Sequence, residues 1–400
     1  MTKSHQIVVI STADWDHPLW TNKQHVSCSL AEHGFNVLYV ESLALRPLRV
    51  SSKDFRRVVR RLLKWLSPPR KVTHRISICS PLVIPNGQHG LPLIFNRLSI
   101  QLTISFSQFL LGFKDPWLWT YNPVTARLID LKRYKRVIYH AVDAIHEQPD
   151  MPTSLIVAEE RSLCSAADYV FVTSPQLKKS LSPYSRNIRF DPNVADFFHF
   201  NRALTFSSQE VPSDLQLIPE PRIGYIGAIS SYKLHIPLIA SIAQSHPELS
   251  FVFIGPTEEG EAKTDLASWR NIPNIYILGS RSYSELPRYC AGFACAWLPL
   301  RHNEYTNSMF PMKFFEYLAS GLPVVATSIQ SLQEFSSVAL LCEVTADSFS
   351  CALHTCLSGV GADLDSRISL ARQYTYQTRL SKMLAYMQID CDEMNPHENI

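Results

Sequence analysis

The cysteines of the 400-residue sequence have no spacing that would indicate disulfide pairs. There are nine, an odd number, and no two form a C-x-x-C pair, which argues against a disulfide framework and against a zinc site. We therefore expect reduced, buried thiols, as in a cytoplasmic protein. The first residues, MTKSHQIVVIST, hold an apolar run that is too short for a signal peptide and that leads directly into a strand pattern.

The sequence also lacks a clean apolar run of membrane-spanning length. The longest candidate, Leu91–Phe113, is interrupted by Asn96, Arg97, Gln101 and Gln108, which favours a buried or interfacial helix. Short repeats and low-complexity segments are absent. The net charge of +3 is too small to indicate a nucleic-acid partner, and no nucleic-acid-binding module is recognisable.

Strand-like and helix-like segments alternate along the chain, whose length favours two domains. Strand patterns occur at residues 7–12, 36–42, 75–80, 117–122, 136–142 and 169–174, and again at 222–229, 250–256, 274–280, 294–300, 323–328 and 338–344. This alternation predicts an α/β protein with two doubly wound, Rossmann-like domains facing each other across a cleft. The predicted parts are a first domain at 1–201, a polar linker at 202–221, a second domain at 222–365, and a C-terminal helix and tail at 366–400 that packs back toward the first domain.

The stretch FPMKFFEYLASGLPVVAT (310–327) places a Lys and a Glu in an otherwise apolar helix pattern. Pro311 suits the first position of that helix, and Gly321 suits its left-handed end. Lys313 and Glu316 then lie in the first two turns, where Lys313 could neutralise a diphosphate and Glu316 could bind ribose hydroxyls. The alternative is a local i,i+3 ion pair contributing about 0.2–0.5 kcal/mol, and the sequence alone leaves both interpretations open.

The same stretch resembles the E-x-x-A-x-G-x-P-V-V-A pattern of retaining glycosyltransferases of the GT-B type, specifically a subgroup that makes capsular, teichuronic or other surface polysaccharides. The resemblance extends along nearly the whole chain. Further matching segments are Trp20–Glu41, VIYHAVDAI followed by EERSLCSAADYVFVTSPQL, FDPNVADFFHF, and GYIGAISSYKL followed by HPELSFVFIGP. Their number and order make the resemblance specific.

The resemblance implies a second domain that holds a nucleotide-diphosphate sugar. Glu316 would bind the donor ribose, and backbone at Gly227 and Ala228 would approach the diphosphate. Lys233 and Lys313 would neutralise it, so neither a metal nor a separate cofactor is expected. The donor-binding residues expected on this basis are Glu316, Lys313, Lys233, Gly227, Ala228 and Asn307, the last within the polar run 304–308.

Two positions depart from the family pattern. Ser308 stands where the wider family has the first of two glutamates, and His235 stands where the subgroup has an aspartate. Both changes concern the sugar contacts more than the nucleotide site, and Ser308 is retained as a catalytic candidate.

The first domain is expected to present the acceptor. Asp143 and His146 follow the strand RVIYHAV and are the other catalytic candidates, with Asp143 as an acceptor-side base or, alternatively, a helix cap. Asp14, Asp16 and Trp20 follow the first strand and are acceptor-side candidates. Three D-x-D matches, at Asp14/Asp16, Asp363/Asp365 and Asp390/Asp392, are too short to indicate a metal site.

Basic residues are concentrated between positions 46 and 75, with eleven Lys or Arg against one acid, Asp54. The predicted helix at 53–66 combines these charges with an apolar side and Trp65, a composition that suits an anionic membrane surface. A solvated surface helix is the alternative. Membrane contact would fit a lipid-linked acceptor and a cytoplasmic protein peripheral to the inner face of the plasma membrane.

These patterns together predict a hexosyltransferase-type enzyme that moves a sugar from a nucleotide-diphosphate sugar to a saccharide or lipid-linked acceptor, with retention, in surface polysaccharide biosynthesis. Two alternatives stay open. The substitution at Ser308 permits a catalytically silent binding subunit, and nucleotide-sugar epimerases share the two-domain fold.

Overall fold

The computed structural model describes residues 5–17, 20–43, 62–65, 67–85, 87–257 and 264–388. The chain divides into two compact units. The first runs to Thr173 and also includes Leu177–Asp191 and the residues from Leu380 onward, while the second comprises Ser174–Gln176 and Pro192–Arg379. The eight cysteines that the structure describes are all free thiols, and six of them are buried.

The first unit is built on an eight-stranded sheet in the order β3-β4-β2-β1-β5-β6-β7-β8. Only the two-residue edge strand β3 is antiparallel to its neighbour. The strands are β1 Gln6–Ile10, β2 Asn36–Val40, β3 Arg70–Lys71, β4 Ile76–Cys79, β5 Trp117–Thr120, β6 Val137–Ala141, β7 Tyr169–Val172 and β8 Ile188–Phe190. Ile7 of β1 pairs with Val37 of β2 on one side and with Trp117 of β5 on the other, so the connections reverse direction at β1.

The second unit has a six-stranded, fully parallel sheet in the order β11-β10-β9-β12-β13-β14. This is the 3-2-1-4-5-6 order of a dinucleotide-binding fold. Its strands are β9 Arg222–Ile226, β10 Ser250–Ile254, β11 Ile275–Gly279, β12 Cys295–Leu298, β13 Val324–Thr327 and β14 Leu340–Cys342. The strand order reverses between β9 and β12, which is where such sheets open a ligand crevice.

Helices connect the strands in both units. The α-helices are α1 Asn22–Glu32, α2 Gly90–Leu111, α3 Thr125–Leu128, α4 Thr153–Ala166, α5 Pro175–Leu181, α6 Phe197–Asn201, α7 Ser213–Gln216, α8 Ile236–Ser245, α9 Leu286–Ala291, α10 Glu304–Asn307, α11 Lys313–Ala319, α12 Ala346–Leu357, α13 Leu364–Gln373 and α14 Tyr376–Tyr386. Residues 62–65 are also helical. Short 3-10 helices lie at Leu131–Arg133, Ile145–Glu147, Ser182–Tyr184, Arg202–Thr205, Ser208–Glu210, Ala267–Trp269, Tyr283–Glu285 and Gln330–Phe335.

The strands form because short β-branched and aromatic runs can be buried on both faces, as a parallel sheet covered by helices requires. In β1 and β2 only the first residue is not fully buried, and β9 and β10 are buried throughout. The fold class predicted from the sequence, two doubly wound α/β domains, is confirmed. Strands β3 and β8 were not predicted, since two or three residues carry no periodicity.

Two of the predicted parts have structure of their own. The predicted linker contains short helices between residues 202 and 216, and its apolar side chains, Ala203, Val211, Leu215 and Ile218, are buried in the core of the second unit. The predicted C-terminal helix is two helices, interrupted where the Tyr374 carbonyl accepts a hydrogen bond from the Ala195 amide at 3.1 Å. The described residues from Leu380 to Gln388 belong to the first unit, where Arg189 donates to the Lys382 carbonyl at 2.9 Å.

Candidate functional site

Hydrogen bonds join the loops that follow β9 and β12. These loops lie where the strand order of the second sheet reverses, which we call its switch point. The Arg301 amide donates to the Lys233 carbonyl at 2.8 Å, and the His235 amide donates to the Pro299 carbonyl at 3.1 Å. The side chain of Asn303 donates to the Tyr232 carbonyl at 2.9 Å. These bonds place residues 227–235 and 299–308 side by side at the carboxyl ends of the strands.

Glycines let the backbone come close together at this edge. The Gly227 amide donates to the Ile254 carbonyl at 2.8 Å, which brings the loop after β9 onto the end of β10. Gly255 has φ +151°, and a Cβ atom there would lie 1.9 Å from the Gly227 carbonyl oxygen. Sequence reasoning named Gly227 and Ala228 but missed Gly255, although the segment SFVFIGP shows a glycine directly after a buried strand.

Lys233 lies among aromatic rings at the switch point. Its ammonium is 5.3 Å from the ring centroid of Tyr232 and 5.7 Å from that of Tyr305, and the two rings meet edge to face at 5.1 Å. A second cation, Arg301, stands on the adjoining loop and was not predicted from the sequence. The structure therefore brings two basic residues to one end of the crevice, a composition suited to a negatively charged ligand.

His235, the residue in place of the subgroup's aspartate, caps helix α8. Its Nδ1 accepts a hydrogen bond from the Leu238 amide at 3.2 Å, a role that an aspartate also fills at helix starts. Burial lowers the pKa of His235, and the charge of Arg301 lowers it further. A neutral ring is required for Nδ1 to accept, so both effects favour the cap.

Helix α11 carries the Lys–Glu pair of the stretch FPMKFFEYLASGLPVVAT. The helix begins at Lys313 rather than at Pro311, and Gly321 ends it with φ +77°, as predicted. Lys313 Nζ donates to Glu316 Oε2, so the predicted local ion pair is present. The Glu316 side chain is 2% exposed and that of Lys313 is 21% exposed. The ammonium of Lys313 also lies 5.7 Å from the Phe200 ring centroid.

Tyr317 connects helix α11 to the end of strand β9. The Ile226 amide donates to the Tyr317 hydroxyl at 2.7 Å. Ile226 directly precedes Gly227, so this bond fixes the helix against the loop at the switch point. Tyr317 was not predicted as a site residue, and its phenol is fully buried.

Ser308 and Asn307 end the short helix α10. The Ser308 carbonyl accepts a hydrogen bond from Ser174 Oγ at 2.9 Å, and its own amide bonds to the Glu304 carbonyl at 3.1 Å. Ser308 is buried. Two buried polar atoms of this edge, Asn307 Oδ1 and Ser230 Oγ, have no hydrogen-bond partner among the described residues. Each therefore lacks a bond that a buried polar atom ordinarily makes.

The first unit has its own cavity at the carboxyl edge of its sheet, with a volume of about 350 Å³. It lies where β1, β2, β5 and β6 end, which again includes the switch point of the sheet. The lining residues are Thr12, Lys23, Ser42, Leu43, Asn122, Val142, Asp143, Ile145, Gln148 and Met151. Asp143, which was predicted at the carboxyl end of its strand, belongs to this lining together with Lys23 and Asn122, which were not predicted from the sequence.

The predicted acceptor-side residues of the first unit lie elsewhere. Asp16 pairs with Arg70 at 2.8 Å, and Trp20 packs against Trp15 with the ring centroids 5.4 Å apart. Asp14 accepts a hydrogen bond from Gln24 through its backbone carbonyl at 3.0 Å. These three acceptor-side candidates are not part of the cavity lining.

His146 belongs to the 3-10 helix beside that cavity and faces a buried acid. Its Nδ1 lies 3.8 Å from Glu160 Oε2, and the Tyr139 hydroxyl donates to Glu160 Oε1 at 2.5 Å. Burial raises the pKa of Glu160, against the opposing effects of the Tyr139 bond and of His146. Glu160 and Tyr139 were not predicted as site residues.

One cluster within the described ranges has a geometry that could accept a metal, formed by His246, Glu248 and His354 with their ligand atoms within 4.8 Å of one another. Both ring nitrogens of His246 already face partners, Glu248 Oε1 at 3.1 Å and Ser350 Oγ at 2.8 Å. The D-x-D match at Asp14/Asp16 has Asp16 paired with Arg70. Asp363 caps helix α13, and Asp390/Asp392 lie outside the described residues.

Residues 220–358, nearly all of the second sheet with its switch point, match the family model described as Glycosyl transferases group 1. The second unit carries a glycosyltransferase group 1 domain. Glu316, Lys313, Lys233, Arg301 and the joined loops all lie inside the matched residues of this glycosyltransferase domain. The predicted resemblance to glycosyltransferases is confirmed for these residues.

A curated protein of Bacillus subtilis (strain 168), provisionally named teichuronic acid biosynthesis glycosyltransferase TuaH, is 25% identical over 229 residues. The match covers 57% of this chain and 52% of the relative, so the chain matches about half the length of TuaH.

Solved structures with the same fold include glycosyltransferases of the GT-B type. Sucrose-phosphate synthase from Thermosynechococcus elongatus superposes with a TM-score of 0.71 at 15% identity, covering 96% of this chain and 98% of that one. HepE from Anabaena in complex with UDP-glucose gives a TM-score of 0.64 at 15% identity, with coverages of 95% and 99%. At these identities the superpositions show the fold, and they confirm the GT-B architecture around the glycosyltransferase domain.

Proposed function

We propose that this protein transfers a sugar from a nucleotide-diphosphate sugar to a saccharide or lipid-linked acceptor in surface polysaccharide biosynthesis, with retention at the anomeric carbon. The observation that carries the proposal is the switch point of the glycosyltransferase domain. Two joined loops there hold two cations, and a buried Glu lies on the adjacent helix. The name of the relative TuaH supports the polysaccharide assignment.

In this proposal the second unit binds the donor. Glu316 accepts from the ribose hydroxyls through the carboxylate oxygen that Lys313 leaves available. Lys233, Lys313 and Arg301 stabilise the nucleoside diphosphate as its bond to the anomeric carbon breaks, a role that fixed cations fill in place of a metal. Asn307 and Ser308 contact the donor sugar. The HepE structure contains UDP-glucose, which makes uridine nucleotides the first donors to test.

The first unit binds the acceptor in its cavity. A bond forms between the anomeric carbon and an acceptor hydroxyl oxygen, and the hydroxyl proton passes to a base. Asp143, in the cavity lining, is the proposed base or sugar contact, and His146 supports it from the adjoining 3-10 helix.

The experiment is a thermal-shift screen of the full chain with UDP-, GDP- and other nucleotide sugars, followed by product analysis of each donor that binds. Binding raises the melting temperature by mass action. We expect a shift with at least one donor and release of its nucleoside diphosphate. A nucleotide that stays attached to an isomerised sugar would establish the epimerase alternative. Binding with no turnover would establish a silent binding subunit, the alternative motivated by Ser308.

A further inference from the structure

Helix α2, Gly90–Leu111, has its apolar side chains on the outside of the first unit. Eight large apolar residues of this helix are exposed. Leu91 is 81% exposed, Leu102 66% and Phe109 80%. The residues of this apolar face are Leu91, Ile94, Phe95, Leu98, Leu102, Phe106, Phe109 and Leu110. Their steps of three and four residues align them along one side of the helix.

The buried side of α2 is the more polar one. Its buried residues are Asn96, Ser99, Ile100, Ile104 and Ser107. Asn96 is fully used there, because its Oδ1 accepts from the Ile84 amide at 2.7 Å and its Nδ2 donates to the Ile84 and Gly87 carbonyls at 3.0 and 3.1 Å. A helix of a water-soluble surface has the opposite arrangement. The outer face of α2 is therefore suited to apolar surroundings.

The neighbouring residues 62–65 extend this surface. The Trp65 indole donates to Thr103 Oγ1 of α2 at 3.1 Å, which places the helical residues 62–65 against α2. Leu62 and Leu63 are 42% and 63% exposed. A tryptophan with its ring at such an edge is typical of membrane interfaces.

The charges around the apolar face fit an anionic partner. Helix α2 contains no acidic residue and a single cation, Arg97, while the segment 46–75 carries eleven Lys or Arg against one acid. Among its described members, Lys64 and Arg70 pair with Glu41 and Asp16, each at 2.8 Å, and Lys71 is exposed. The remainder of that segment, including most of the predicted helix 53–66, lies outside the described residues. A second protein copy would not require this excess of positive charge, whereas an anionic lipid surface attracts it.

We infer that the apolar face of α2 lies in the interfacial zone of an anionic lipid bilayer and anchors the first unit there. Within the described ranges, no helix is both long enough and apolar enough to cross a membrane. Helix α2, about 33 Å long, lies in the plane of the interface with its apolar side chains among the acyl chains. This inference moves the main membrane contact from the predicted helix 53–66 to α2, with the basic segment as its electrostatic support.

The position of α2 at a membrane surface is consistent with binding of a lipid-linked acceptor by the first unit. This step of the inference rests on the proposed function. Helix α2 connects β4 to β5, so its first turn lies toward the carboxyl edge of the sheet, the edge that also holds the cavity of the first unit. Arg127 bonds the Gln88 carbonyl just before α2 at 2.8 Å, linking this loop to helix α3. A saccharide attached to a membrane lipid would thus be presented at the edge that holds Asp143.

The test is co-sedimentation of the full chain with vesicles of equimolar phosphatidylglycerol and phosphatidylcholine, without donor or acceptor. The variant carries Leu102→Ser, Phe106→Ser and Phe109→Ser. The matched control carries Leu217→Ser, Phe198→Ser and Val360→Ser, three exposed apolar positions of the second unit. We expect the partition coefficient to fall about a hundredfold or more in the variant and to stay unchanged in the control. Because all six positions are exposed, the melting temperatures should match that of the wild type.

Nucleotide-sugar binding in solution should be equal in all three proteins, so the membrane inference and the proposed function can fail separately. Vesicle binding by the variant at the wild-type level would overturn the inference. So would a wild-type protein that stays in the supernatant. A wild-type dimer that becomes a monomer in the variant, with no vesicle binding by either, would assign the face to a second copy instead.

Discussion

Glu316 and Lys313 form an ion pair in which the Glu316 side chain is almost fully buried. Removing one partner of a buried pair leaves the other charge uncompensated, which is why such pairs are costly to break. A ligand that supplies ribose hydroxyls to Glu316 and phosphate oxygens to Lys313 would add bonds to both members without leaving either charge unpaired. The ion pair is therefore compatible both with a role in donor binding and with a purely local structural role.

A substitution separates the two interpretations. Glu316→Gln keeps the shape of the side chain and removes its charge, so the affinity for the donor nucleotide should fall about tenfold to a hundredfold. Glu304→Gln, at an exposed position of helix α10, is the control and should bind as the wild type does. Isothermal titration with the donor found by the thermal-shift screen measures both. Equal affinities for Glu316→Gln and the wild type would restrict the pair to a structural role.

His235 makes the stability of the second unit dependent on pH. Its folded-state pKa is lowered by burial and by Arg301, so the unfolded chain takes up a proton at a higher pH than the folded chain does. The stabilising contribution of the neutral cap is complete above the ordinary histidine pKa of about 6.5. It is lost as the pH falls from there through the lowered folded-state value.

We predict that His235→Asn flattens this pH dependence. Asparagine caps helices well and does not titrate, so the variant should keep the cap, which is worth about 1 kcal/mol. The measurement is chemical denaturation between neutral and mildly acidic pH. His302→Asn, at an exposed histidine nearby, should leave the wild-type slope unchanged. An unaltered slope in His235→Asn would exclude His235 as the source.

At the scale of elements, the crevice of the second unit depends on two loops whose backbones nearly touch. A methyl group at Gly255 would lie 1.9 Å from the Gly227 carbonyl oxygen, and the backbone there has φ +151°. We expect Gly255→Ala to destabilise the second unit by about 3 kcal/mol, from the steric conflict and the backbone strain together. Donor binding should weaken as well, because the displaced residue Gly227 belongs to the proposed diphosphate loop.

Gly359→Ala is the matched control for this prediction. Gly359 also has a positive φ, +76°, but a methyl group there meets nothing within 4 Å. The Gly359→Ala substitution should lower the free energy of unfolding by about 1 kcal/mol, from the left-handed backbone alone. Thermal melts of both variants give the comparison. Equal losses would show that the close approach of the two loops contributes nothing.

Elements differ in how much of them the sequence reveals. All twelve predicted strands are present, because a buried parallel strand is a compact run of β-branched and aromatic residues. The two strands that were not predicted, β3 and β8, are short edge strands. Their extent is set by pairing with the neighbouring strand and not by a sequence pattern of their own. Helix α2 was predicted as buried or interfacial from its composition alone. Which side chains face the core depends on the polar partners of Asn96, and these lie in a loop that the pattern does not specify.

At the scale of the whole molecule, the doubly wound fold follows from the alternation of strands and helices, and so do the edges at which ligands bind. Lys313, Glu316 and Gly227, which were predicted from the motifs that carry the family resemblance, lie around the switch point of the second sheet. Arg301, Lys23 and Asn122 were not predicted, because contacts distant in the chain bring each of them to its sheet edge. Gly255 was missed although it directly follows strand β10. Asp16 and Trp20 were placed correctly after β1, yet an ion pair and an aromatic contact engage them instead.

The measurement that tests the central claim most directly is the release of nucleoside diphosphate from a panel of nucleotide sugars, followed chromatographically with the purified full chain and a lipid extract as the source of acceptor. We expect one donor to yield its nucleoside diphosphate together with a glycosylated product. We also expect Glu316→Gln to release much less at low donor concentration, while Glu304→Gln releases as much as the wild type. If no nucleotide sugar binds and none releases its diphosphate, the protein is not the glycosyltransferase that its second unit indicates.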